Sequence, residues 1–448
     1  MAGLLVTPAR PAASGSAIRV PEDVPTLQRA IAQASPGDEI LLAAGTYPGG
    51  NVVPRAKHDI TIRGVDRNTV VLDGADQWKN GIVVRADGVS ILNLSAHNFL
   101  TNALYWEGAD RFRASYVTLW NVGGYGIYTE DSEQGVLDHD YVSGAADASY
   151  YVGECRPCRA TISRVVARLS AVGYSGTNAT GVVIRDSVWD ENGAGIVPNT
   201  YANEALPPQA RTTIVGNTIT NSGRARVPIQ TALAGFIGIG IAIAGGNDNG
   251  ISRNRVTGSE RFGIAVFPTA RFVVFDPAAK EPGPPWRPQR NRIFRNVATG
   301  SGRADLALAT GSGRGNCFTG NIVRRTLPVR LQTKGCAGAS PAGDARVASL
   351  LTRPVRVMVR DTIRRRRPPA THRCPRRRRS RACRLPASHC PLPRLTDALN
   401  VRFMTPAGVR SPSSPVVRNR IHFSGHILDR RSSRLRRLAH TRCPLNEG

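Results

Sequence analysis

Leu104-Tyr105-Trp106-Glu107, Ile127-Tyr128-Thr129-Glu130, Tyr150-Tyr151-Val152-Gly153 and Gly173-Tyr174-Ser175-Gly176 start at a constant step of 23 in the numbering, so Tyr105, Tyr128, Tyr151 and Tyr174 form one evenly spaced column. One more step each way reaches Ile82 and Val197. A second column on the same step holds Leu119, Val142, Val165 and Val188, and a third holds Leu104, Ile127, Tyr150, Gly173 and Ile196. A unit of about 23 residues built from short β-branched runs and Asn, Asp and Gly turns cannot bury its apolar face alone, so copies must stack. Leucine-rich repeats share this period but need several leucines at fixed offsets, whereas here Leu is sparse and Gly abundant. The pattern predicts an all-β, single-stranded parallel β-helix of about 10–11 coils.

Later units keep the pattern and swell. The turn residues in Ile-Arg-Asp186-Ser-Val, Val-Gly-Asn217-Thr-Ile, Ser-Arg-Asn254-Arg-Val, Phe-Arg-Asn296-Val and Thr-Gly-Asn321-Ile recur at successive steps of 31, 37, 42 and 25 in the numbering. The excess over 23 must leave as loops, placed at Pro198–Arg211, Asn221–Gly235 and Pro268–Arg290, which carry Pro or Gly and charge. The first and third follow equivalent strands and should project from one side. Ahead of the repeats, Leu27, Ala30, Ile31 and Ala34 make one helical stripe, with Thr26 as N-cap and Pro36-Gly37 as stop. Such a helix would cover the open end of the first coil.

The whole chain has 448 residues, with 60 Lys+Arg against 32 Asp+Glu, a net charge of +28 and 6% aromatic residues. It contains no apolar run of about 18 residues, the length a membrane-spanning helix needs. The charge is uneven. Residues 1–323 hold 30 basic and 27 acidic residues, while 324–448 hold 30 basic and 5 acidic. This divides the chain into a short leader (1–17), a β-helix domain (18–323), a C-terminal cap or linker (324–360) and an Arg/Pro-rich tail (361–448). The tail has runs such as Arg364–Arg367 and Arg376–Arg379 and no periodicity. A disordered basic arm for nucleic acid or another polyanion is one reading. The near-absence of Lys favours the other, a GC-rich gene read out of frame. The leader ends in small residues, Pro8-Ala-Arg-Pro-Ala-Ala-Ser, as an export signal does, although Met1-Ala-Gly-Leu-Leu-Val is too short an apolar stretch for one.

Pro25-Thr26-Leu27-Gln28-Arg29-Ala30-Ile31, Pro36-Gly37-Asp38-Glu39-Ile40, Gly45-Thr46-Tyr47, Ile60-Thr61-Ile62-Arg63-Gly64 and Val71-Leu72-Asp73-Gly74 resemble the opening of right-handed parallel β-helix proteins of the pectin-lyase-like superfamily. The likeness spans about Ile18 to Asn321. It implies the fold, and a superfamily of polysaccharide lyases, glycoside hydrolases, esterases, epimerases and members without known catalysis. The Asn-Thr-Asp, Asp-Asp, His-Gly and Arg-Ile-Lys patterns of its polygalacturonase-like hydrolases are absent. Leu137-Asp138-His139 is similar to the Trp-Ile-Asp-His of pectate-lyase-like members but lacks Trp and Ile, and Arg226-Val-Pro228-Ile-Gln-Thr231 lacks the second arginine of their Arg-x-Pro-x-x-Arg.

Side chains alternate faces along a strand. With Leu104, Ile127 and Ile196 inward, Tyr105, Tyr128, Tyr151 and Tyr174 point outward as a ladder about 15 Å long that could stack sugar rings. If the faces are reversed, the tyrosines are core and the acids lie in turns. Glu107 and Glu130 share the step of the tyrosines, as do Asp131 and Glu154. Carboxylates that close raise one another's pKa or recruit a cation such as Ca²⁺, and a pair about 5 Å apart also suits retaining glycoside chemistry. Asp138, His139 and Asp140 sit where other coils have Arg-Asp or Arg-Asn, which favours a turn-stabilising role for Asp140. Gly245-Gly-Asn-Asp-Asn-Gly250 reads as a tight turn, with Ca²⁺ binding as the alternative. Cys155-Arg-Pro-Cys158 reads as a local disulfide, because the repeat region has no second Cys pair at zinc spacing, and Cys317 and Cys336 could staple the last coil. Both imply an oxidising, extracellular or cell-envelope location. Two functions follow as expectations: an exported protein that binds polysaccharide or displays a rigid surface, or a lyase, glycoside hydrolase or epimerase using carboxylates of adjacent coils.

Overall fold

The computed structural model describes residues 16–202, 204–229, 235–269, 285–332, 336 and 340–352. Its strands run in three parallel sheets of 12, 11 and 11 strands; the first strand is followed by a helix, and from Glu39–Leu42 onward each coil contributes one strand to each sheet in turn. The first sheet runs from Ala17–Val20 to Cys317–Thr319, the second from Gly45–Pro48 to Ile322–Val323, and the third from Asn51–Val53 to Thr326–Leu327. Every adjacent pair is parallel and in register, so residues about one coil apart become vertical neighbours. The rod is thus a parallel β-helix, slightly longer than the 10–11 coils that the spacing implies.

The interior is built from columns. In the first sheet Ile40, Ile62, Ile91, Ala114, Leu137, Ile162, Ile184, Ile214, Ile251, Ile293 and Phe318 pair in sequence, and all are fully buried. Each presents its apolar side chain to the coils above and below, so burial that one coil cannot achieve is obtained by stacking. Helix α1 (Leu27–Gln33) starts at Thr26, whose hydroxyl accepts the Arg29 N–H at 3.2 Å, and buries Leu27, Ala30 and Ile31 against the first coils. It closes the N-terminal end as the stripe predicts.

Turns between the first and second sheets carry an amide ladder. The backbone N–H groups of Ser187, Asn217, Asn254 and Asn296 donate to the side-chain oxygens of Asn217, Asn254, Asn296 and Asn321, and the last of these asparagines is capped by Gln332 Oε1 at 2.9 Å. The ladder position in the earlier coil belongs to Ser187, which accepts the Val165 N–H. Asp186, expected in this column, precedes it by one residue and adopts the left-handed φ of 50° that turns the chain. Among the described residues two disulfides are present, Cys155–Cys158 and Cys317–Cys336. Beyond residue 323 the rod adds the strand Thr326–Leu327, and helix α2 (Ala345–Thr352) packs Val347 and Leu351 on the outer face of the third sheet. The Arg-rich segment 361–448 and residues 1–15 of the leader lie outside the described residues.

Candidate functional site

The outer face of the third sheet carries the tyrosine column, with two departures from the even step. Tyr105 pairs with Val83, because the preceding coil is one residue shorter than the repeat, so Ile82 lies in the inward column with Leu104. Tyr105, Tyr128 and Tyr151 are in register on adjacent rungs. Tyr174 is not on that ladder. It pairs with Tyr150 and Ile196, is fully buried, and its hydroxyl donates to the Val152 carbonyl at 3.3 Å. The excursion around Cys155–Cys158 lengthens that coil by one residue in the third sheet, and a one-residue change of register reverses the face of a strand. Ser175 takes the outward place above Tyr151, and Gly173 leaves the inward column to Tyr174. The second column slips likewise: Val142 pairs with Ala167 and then Trp189, leaving Val165 and Val188 outside it.

The ladder has three rungs and is partly covered. Tyr128 keeps 7% and Tyr151 3% exposure, while Tyr105 is half-buried. The ring of Tyr125 stacks on Tyr128 with centroids 4.4 Å apart and meets Tyr151 edge-on at 5.2 Å. Tyr105 and Tyr128 are 4.9 Å apart, and Tyr128 and Tyr151 4.6 Å. The ring of Tyr151 lies over Gly153, where a Cβ would collide with Cζ and the hydroxyl, so this rung requires glycine. Four rings form one contiguous patch, and Tyr105 and Tyr125 give it its accessible surface.

Carboxylates surround the patch. Glu107 and Glu130 are in register, and Glu130 stands over Gly153 on the next rung. Glu130 Oε2 accepts the Tyr105 hydroxyl at 2.9 Å, whereas Glu107 pairs with Arg85 at 2.9 Å. Asp131 and Glu154 take left-handed φ values of 49° and 55° at the turns leaving this sheet; Asp131 is exposed and Glu154 buried. Glu204, on the first swollen loop, was not legible as a site residue. The loop folds back over the face: Glu204 Oε2 accepts the Tyr151 hydroxyl at 3.4 Å, the Ala205 N–H donates to Glu154 Oε2 at 3.3 Å, and Asn178 Nδ2 donates to the carbonyls of Tyr201, Glu204 and Ala205. Burial pushes the Tyr151 phenol well above its usual range, with Glu204 raising it further. The Tyr125 phenol is raised by burial and then by Asp147. These phenols therefore stay protonated and act as hydrogen-bond donors.

The remaining predicted positions make local contacts. Asp140 Oδ1 accepts the Val117 N–H at 3.0 Å in the turn. His139 stacks on Tyr116 at 4.6 Å and lies 2.6 Å from Asp138 Oδ2. In the Gly245–Gly250 turn, Asp248 gives both oxygens to Arg290, at 2.6 and 2.8 Å. Among the described residues, no three His, Cys, Asp or Glu side chains converge as a metal site.

A family model described as "Right handed beta helix region" matches residues 102–267. The described residues have the right-handed parallel β-helix fold of the pectin-lyase-like kind. Among solved structures it is similar to the A-module of Azotobacter vinelandii mannuronan C-5 epimerase AlgE4, at 14% identity over 70% of this chain and 93% of that one, with a TM-score of 0.50. The A-module of AlgE6 from the same organism is 14% identical over 67% and 89%, with a TM-score of 0.46. The catalytic domain of a GH87 alpha-1,3-glucanase is 13% identical over 71% and 66%, with a TM-score of 0.47. At 14% identity the likeness to the AlgE4 module bears on the fold of the β-helix alone. No curated protein sequence matches the chain.

Proposed function

We propose that this β-helix is an exported polysaccharide-binding protein, and that the patch of Tyr105, Tyr125, Tyr128 and Tyr151 with its carboxylates is the binding face. The observation that carries this reading is the contiguous set of four rings on the outside of the rod, two of them accessible, beside half-exposed Glu107 and exposed Asp131. Sugar rings stack on aromatic faces, and carboxylates accept hydrogen bonds from sugar hydroxyls. A mannuronan epimerase module among the structural neighbours agrees with a glycan partner, and two disulfides agree with an extracellular or cell-envelope location.

A second reading, catalysis by a lyase, glycoside hydrolase or epimerase, is favoured by one observation: Glu154 and Glu204 approach the buried phenol of Tyr151 under the returning loop. In that reading Glu130, Glu154 and their neighbours Glu107 and Asp131 carry proton transfer, with Ca²⁺ as an optional partner of the acids. A glycan array probed with and without Ca²⁺, followed by reducing-sugar and unsaturated-product assays on each hit, separates the two. Binding without turnover supports the module. Turnover that disappears in Glu130→Gln supports the enzyme, and no binding to any glycan refutes both.

A further inference from the structure

Three successive turns, each leading from the third sheet back to the first, surround a cleft of about 370 Å³ lined by Arg55, His58, Asp59, Arg85, Asp87 and Arg111. Two of its guanidinium groups are pinned. Arg111 reaches Asp59 at 2.9 Å and Asp87 at 4.0 Å, and Arg85 is held from outside the cleft by Glu107 at 2.9 Å. The backbone is shaped around the first pair: Asp59 lies against Gly88, whose φ is +70° and where a Cβ would collide with Oδ1. Asp59 is shared with His58 at 2.9 Å, and Asp87 Oδ1 also accepts the Asp110 N–H. Arg55 enters none of these pairs. It is exposed, and its guanidinium lies over Gly108, where a Cβ would stand 3.5 Å from Nη2.

Asp59 and Asp87 take up Arg111, Glu107 takes up Arg85, and Asp131 Oδ2 lies 3.9 Å from the same point over Gly108 that Arg55 approaches, so the cleft offers an anion positioned guanidinium forks and not a net positive field. These planar forks match the two oxygens of a carboxylate or sulfate. We propose that this cleft binds an oxyanion carried on a glycan, with Arg55 as the principal contact and Arg85 and Arg111 as preset flanks. The ion pair of Arg85 with Glu107 joins the cleft to the acid row beside Tyr105, so a chain on the tyrosine face would present its anionic substituent here. The glycan as carrier rests on the polysaccharide reading; the anion site itself needs no tyrosine.

Titration calorimetry of the full chain tests this with inorganic sulfate, polygalacturonate, dextran sulfate and neutral dextran as probes, using wild type, Arg55→Ala, Arg55→Lys and the control Arg255→Ala, an exposed arginine on the second sheet. The basic tail is common to all four proteins, so only differences between them are read. Arg55→Ala should weaken at least one anionic probe about tenfold, Arg55→Lys should recover part of the loss, and Arg255→Ala should match wild type. Preference for polygalacturonate or for dextran sulfate identifies the anion as uronate or sulfate ester. Arg55→Ala indistinguishable from wild type with every anionic probe overturns the cleft while leaving a dextran-binding tyrosine face intact. Sulfate binding lost in Arg55→Ala, with no glycan bound by any variant, upholds the cleft and removes the carrier.

Discussion

The two halves of the third sheet treat their outer faces differently. From Ala194–Asn199 onward the outward residues are apolar, among them Val197, Ala242, Ala265, Phe267 and Ala307, and the chain covers them itself with Phe236 and helix α2. In the earlier coils the same face carries Tyr105, Tyr128 and Tyr151 with Glu107 and Glu130, and among the described residues the loop bearing Glu204 reaches over it. An apolar outer face has to be buried, whereas rings with hydroxyls and acids tolerate water on one side and remain available to a ligand. The turn ladder shows a parallel contrast, with asparagines at the C-terminal coils and Asp140, Val165 and Ser187 at the earlier ones.

The covered half should be the more costly to disturb. Phe267→Ala removes a fully buried ring of the outer cluster and should cost about 3–5 kcal/mol in denaturant unfolding; a loss below about 1 kcal/mol would mean that the cover contributes little. Asn254→Ala removes the acceptor of the Asn217 N–H and the donors to the Ile214 carbonyl and Asn296, and should cost about 1–3 kcal/mol by the same measurement.

Asp140 sharpens the contrast, because Asp140 Oδ2 is buried without a hydrogen-bond partner among the described residues. Burial pushes this carboxyl well above the usual carboxylate range, against the opposing pull of the Val117 N–H. With the folded value above the unfolded one, the protonated acid contributes its full stability below about pH 4 and loses it as pH rises through the folded value. Asp140→Asn should therefore be more stable than wild type by about 1–2 kcal/mol at neutral pH, with the difference shrinking toward pH 4. Thermal melts across that range check this, and a difference independent of pH would show that Asp140 is already ionised. The smallest effect belongs to the open half: Tyr105→Phe loses one hydrogen bond to half-exposed Glu130 and should cost no more than about 1 kcal/mol.

The coil step was legible wherever coils are uniform. Leu104, Ile127 and Tyr150 recur at the even step and do stack inward, and Asn217, Asn254, Asn296 and Asn321 mark one turn through coils of very different length. Legibility failed at single-residue changes in coil length. A fixed period cannot register the extra residue beside Cys155–Cys158, and one residue is enough to turn Tyr174 from face to core. Glu204 and Tyr125 were missed for another reason. They lie outside the strand columns, in turn and loop, so no periodicity marks them; the only signal was that the Pro198–Arg211 loop leaves the sheet that bears the tyrosines.

Hydroxyl-radical footprinting of the full chain, with and without its best-bound glycan, reads the open face directly. Tyr105 and Tyr125 should become protected while Trp78, 45% exposed and outside the patch, stays unchanged. Unaltered labelling of both tyrosines under saturating glycan would contradict the placement of the binding face on the third sheet.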